Sequence, residues 1–222
     1  AGLGQALFQR RGGPRGNVAV LCRCGLADRE LYSLFVHETV RLLNRRVFDG
    51  PLPDWLGEGL AYGLAFGRID ASGALDEDAL GGSERVVAAA AGRGAGGETT
   101  ENTGGRLALL HLKQEHDRGR PTKLASLVSA GSDASGSAGP TSDLRARTEW
   151  IIRSAMFVRF LLDERNGELR DGFRAYLRSV AGGGAAGEEA LLDALGSGWE
   201  TLDGRFRRWV DFQARWLHRR GP

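Results

Sequence analysis

The chain of 222 residues, with 41% hydrophobic and 26% charged side chains, has a globular composition, which excludes wholesale disorder and fibrous architecture and allows one domain with a substantial core. Thirty basic residues against 28 acidic ones give a formal charge of +2, so no global field draws the molecule towards nucleic acid or an anionic membrane. No apolar run approaches the roughly 20 residues that span a bilayer, so membrane insertion is not expected either.

The basic residues are Arg apart from Lys113 and Lys123, and Gly occurs 34 times, a bias that fits codon usage and weakens any argument from Arg clusters alone. Cys22 and Cys24, the two cysteines, stand on one face of an apparent strand and read as buried or half-buried free thiols rather than a disulfide framework. The chain opens at Ala1 and its one methionine is Met156, so it reads as a processed or excised piece.

Residues 8–10 and 17–24 flank the turn sequence Arg11-Gly12-Gly13-Pro14-Arg15-Gly16, which predicts an amino-terminal β-hairpin. Asp28 offers a helix cap, and apolar residues on more than one side from 29 to 47 predict a helix that runs through the domain centre. Its polar residues His37, Glu38 and Arg41 therefore need partners or a function. Pro51 and Pro53 break that helix, and Asp54 caps a second over 54–66, in which Gly57, Gly59 and Gly63 permit close backbone approach.

Residues 67–105 read as irregular, with one short helix at 83–91, and a further helix is expected over 107–116. His111 and His116 on it are five apart, about 140° around the helix, so they share no ligand face and are read as solvent-facing. A helical stretch at 121–128 precedes a Ser/Gly/Ala-rich flexible loop at 129–142. Four helices follow, over 143–165, 168–180, 188–195 and 199–217. The last sets Trp199, Leu202, Phe206, Trp209 and Val210 beside Arg205 and Arg208, the pattern of an amphipathic helix closing a core with a solvated basic face.

The segment Phe35-Val36-His37-Glu38-Thr39-Val40-Arg41, followed by Trp55-Leu56-Gly57-Glu58-Gly59-Leu60-Ala61-Tyr62-Gly63, resembles the gluzincin type of zinc metallopeptidase, in particular the bacterial peptidase-MA-like families. Those families carry H-E-x-x-H on one helix and a glutamate ligand in a W-L-x-E-G-x-A pattern on the next. Positions i and i+4 stand one turn apart, so two imidazoles there share an ion while the intervening Glu reaches the metal-bound water. The resemblance implies His37 as first ligand, Glu38 as general base, Glu58 as third ligand and zinc as cofactor. It covers residues 17–66 by motif and 145–217 by pattern, and implies one zincin-like α+β domain over 1–222, predominantly helical with a small amino-terminal sheet. It is compatible with a secreted or cell-envelope setting.

The second histidine position holds Arg41, which stays protonated and has no lone pair for a metal. A guanidinium there substitutes for the ion by bridging Glu58 and Glu38. The implied function is a metallopeptidase-like domain with a degenerate zinc site, non-catalytic or weakly active, whose partner is a peptide or protein. One alternative is an active zinc peptidase that uses His37, Glu58 and an unidentified third ligand, for which His218 is a candidate, with Glu38 as base. The other is a structural or interaction module in which the Arg41 ion pair is a polar staple.

Overall fold

A computed structural model describes residues 28–48, 50, 52–65, 68–69, 75–76, 103–130, 144–163 and 168–219. The described part is predominantly helical: α1 (Asp28–Val47), α2 (Asp54–Ala65), α3 (Thr103–Asp117), α4 (Leu124–Ser129), α5 (Leu144–Asp163), α6 (Glu168–Ala181), α7 (Glu188–Leu195) and α8 (Trp199–Arg219). Between α2 and α3, the two-residue strands β1 (Arg68–Ile69) and β2 (Leu75–Asp76) pair antiparallel, Arg68 with Asp76 and Ile69 with Leu75. The hairpin expected over 8–24, Cys22 and Cys24, the helix expected over 83–91 and most of the loop expected at 129–142 lie outside the described residues. No helix among the described residues is long and apolar enough to cross a membrane.

The central helix is α5, which contacts α2, α3, α4, α6 and α8. Ile152, Ala155, Met156, Phe157, Val158, Phe160 and Leu161 are all fully buried, so α5 is apolar nearly all round, as a helix surrounded by others must be. This corrects the expectation that α1 runs through the centre. Three of its apolar residues, Phe35, Leu43 and Val47, are 53%, 52% and 54% exposed. Periodicity shows that a helix has apolar faces but not which neighbours cover them.

A continuous aromatic path ties α2, α5 and α8 together. Trp55 lies 5.4 Å from Phe157, Phe157 meets Phe206 edge-on at 6.3 Å, and Phe160 sits between Phe206 (5.4 Å) and Trp209 (6.0 Å). Burying each such side chain contributes about 1.5–3 kcal/mol, which makes this path a large part of what holds the helices in place. Leu202, Phe206 and Val210 recur on one buried face of α8, as expected of a helix closing the core.

Polar contacts fix the smaller elements. Asp203 of α8 accepts the Leu124 backbone N–H at 2.9 Å, so a residue distant in sequence caps the start of α4. Trp150 Nε1 donates to the Leu127 carbonyl at 3.3 Å, joining α5 to α4, and the Tyr176 hydroxyl donates to the Ala186 carbonyl at 2.7 Å across the α6–α7 connection. Helix α7 ends where Gly196 adopts φ 59°, a left-handed conformation that glycine enters without a Cβ penalty.

Gly59 and Gly63 of α2 allow the close approach to α5 that the sequence suggested. A Cβ on Gly59 would lie 2.8 Å from Val158 Cγ2 and 2.9 Å from the Ser154 carbonyl oxygen, and one on Gly63 would lie 3.3 Å from the Ala155 oxygen. Gly57 faces no such constraint, its nearest neighbour being Leu52 Cβ at 4.0 Å. The close α2–α5 packing holds α2 in place, and with it the face that α2 turns towards α1.

Candidate functional site

Helix α1 places His37 and Arg41 one turn apart, and α2 does the same for Glu58 and Tyr62. The short connection between them is anchored by buried Phe48, whose N–H donates to the Asn44 carbonyl, and by the Pro53 carbonyl, which accepts from Leu56 and Gly57. With the two helices packed together, the four side chains meet as a two-by-two set.

Glu58 divides its carboxylate between two cationic partners. Oε2 lies 3.5 Å from His37 Nε2, an ion-pair distance that is long for a hydrogen bond, and Oε1 lies 3.7 Å from a terminal nitrogen of Arg41. The other His37 nitrogen, Nδ1, is 3.0 Å from Glu38 Oε1, and the imidazole leans on the Tyr62 ring at 4.2 Å between centroids. His37 and Glu38 are buried, whereas the Arg41 side chain is 42% exposed and forms the open edge of the set.

The electrostatics follow from these contacts. Burial alone would depress the His37 pKa, but the contacts with Glu38 and Glu58 and their negative charges outweigh it and hold the imidazole above its ordinary value of 6.5. Burial likewise works to raise Glu58, and is overcome by His37, Arg41 and Arg147, which hold the carboxyl below the usual range. Burial first, then the Glu58 charge, push the Tyr62 phenol up to about 12, so it keeps its proton. Both shifts favour an imidazolium beside a carboxylate, and of the two it is the imidazole that would have to give up a proton before it could hold a metal.

A zinc site needs three protein ligands with free lone pairs. At the place of the motif's second histidine the guanidinium of Arg41 offers none, and it faces the Glu58 oxygen that an ion would otherwise share. Two potential donors, His37 and Glu58, remain, and Glu38 is turned to His37 Nδ1. Among the described residues no group of three or more His, Cys, Asp or Glu is arranged to hold a metal ion. The described residues at this place therefore supply too few lone-pair donors for the zinc that the motif implies.

The structure brings together all four residues singled out in the motif, His37, Glu38, Arg41 and Glu58. The expected bridge from Arg41 takes the Glu58 arm, while Glu38 turns to its sequence neighbour His37. His218 falls within α8, but its side chain is outside the described residues. His116 is buried rather than solvent-facing and His111 is half-buried, because α8 packs over α3. Tyr62, part of the motif, is the packing surface against which His37 rests, and one contributor went unread in the sequence: Arg147, exposed on α5, whose charge acts on Glu58. Arg147 carries no local signal, since only the fold brings α5 against α2.

The chain matches no family model, and no curated protein or solved structure is significantly similar to it.

Proposed function

We propose that the chain is a gluzincin-like, zincin-type domain in which a guanidinium has replaced the catalytic ion, leaving a non-catalytic module that binds peptide or protein. The observation that carries the reading is the division of Glu58 between His37 and Arg41. The carboxylate proposed as a metal ligand is neutralised by a fixed organic cation at the position where the motif has its second histidine. The spacing of His37, Glu38 and Arg41 on α1 and the placement of Glu58 opposite them support common ancestry with a metal site. Peptide binding rests on the resemblance, with half-exposed Arg41 giving the site an accessible side.

The reading predicts that Arg41→His creates a zinc site. Titration of zinc against a chromophoric chelator should show affinity rising at least about 100-fold over the unsubstituted chain, because the third lone pair is then supplied. Equal affinity in both would show that the cavity no longer has the spacing of a metal site, and would favour the staple reading, in which the ion pairs merely join α1 to α2.

A further inference from the structure

His116 lies far from this site in sequence, in the last turn of α3, and plays no part in the function proposed above. It is 3% exposed and meets Phe206 of α8 edge-on, with 6.4 Å between ring centroids. Neither Nδ1 nor Nε2 has a hydrogen-bond partner. Trp209, stacked on Phe206 at 6.0 Å, also buries an indole N–H without an acceptor.

The charged groups whose fields reach the imidazole are Lys113 and Asp117 on α3 and Arg207 and Asp211 on α8. Two are cations and two are anions, and both anions are engaged by Lys113, Asp117 directly and Asp211 at 3.7 Å. Among the described residues no carboxylate is hydrogen-bonded to the imidazole.

We infer that His116 is an acid-sensitive latch: it holds α8 on α3 while neutral, and protonation releases that contact. A second N–H and a positive charge on a buried ring whose nitrogens meet no acceptor would be uncompensated, and the simplest relief is for the ring to reach water by parting α3 from α8. Release would uncover the aromatic face of Phe206 and Trp209 and loosen Asp203, which caps α4.

The direction of titration agrees. Burial foremost, reinforced by Arg207 and Lys113, holds His116 below its ordinary value of 6.5, although Asp211, Asp117 and the nearby helix C-terminus act the other way. The folded state therefore binds this proton less readily than the unfolded chain. The contribution of His116 to stability is complete above about pH 6.5 and falls by up to about tenfold in the folding equilibrium per pH unit below it.

The test is amide hydrogen exchange by mass spectrometry on the full chain between pH 7.5 and 4.5, corrected for intrinsic exchange, with His116→Gln and His116→Leu alongside. Protection of α3 and α8 should drop by up to about tenfold per pH unit in the unsubstituted chain while α6 and α7 hold, and both substitutions should flatten that dependence. Unchanged protection of α3 and α8 from pH 7 to 5, or variants as acid-sensitive as the parent, would overturn the latch. Should neither variant fold, the NMR titration of His116 in the unsubstituted chain decides, since a midpoint at or above 6.5 contradicts the proposal.

Discussion

Each carboxylate oxygen of Glu58 has its own partner, His37 Nε2 on one side and Arg41 on the other, so Glu58→Gln removes a charge that both of them sense. The imidazole titration of His37, followed by NMR, should then move to lower pH, because burial would be opposed by Glu38 alone. Stability should fall by about 1–3 kcal/mol, the range expected when a mostly buried charged partner is lost. Arg41→Ala should cost less, about 1 kcal/mol or below, since the guanidinium side of the pair is partly solvated. A His37 titration unmoved by Glu58→Gln would show that the two residues do not interact in solution. This group was legible in the sequence because Arg41 beside two carboxylates, in a helix with apolar flanks, has few other ways to be satisfied. The choice of Glu58 over Glu38 was not, since it depends on how α2 docks.

At the scale of elements, the glycines of α2 separate packing from intrinsic helix propensity. Gly59→Ala should lower the urea midpoint, because its Cβ would meet Val158 and the Ser154 backbone of α5, and a cost of about 1–3 kcal/mol is typical of overpacking. Gly57→Ala meets nothing closer than 4.0 Å and should raise the midpoint by up to about 1 kcal/mol from helix propensity. If both changes had the same sign, the close α2–α5 contact would be wrong. A Cβ at Gly172 would likewise run into the Ala194 carbonyl, which places α6 tightly on α7. Helix positions were readable because Asp28 and Asp54 stand at the starts of α1 and α2, where an acid favours a helix, and Pro51 and Pro53 separate the two. Pairings were not: α5 is central because its neighbours meet on it, and His116 is buried because α8 covers it, both consequences of contacts between distant segments.

For the whole molecule, two histidines of opposite tendency shape the dependence of stability on pH. His37 is held above 6.5, so its contribution is complete below that value and is lost as pH rises through its folded-state pKa. His116 is held below 6.5, so its contribution is complete above that value and is lost on acidification, and Glu58, held low, adds to the acid loss at lower pH still. Urea midpoints from pH 4 to 9 should pass through a maximum near 6.5, with His116→Gln flattening the acid side. A monotonic rise to pH 9 would contradict the His37 assignment. The aromatic path from Trp55 to Trp209 was legible only as separate apolar stripes on α2, α5 and α8, because a sequence lists the faces without joining them. The replacement of an ion by Arg41 is the central claim, and the zinc content of the unsubstituted chain, purified without chelator and dialysed against trace zinc, tests it most directly. Elemental analysis should find far less than one zinc per chain, whereas one tightly held zinc per chain would mean that a third ligand exists and would contradict the claim.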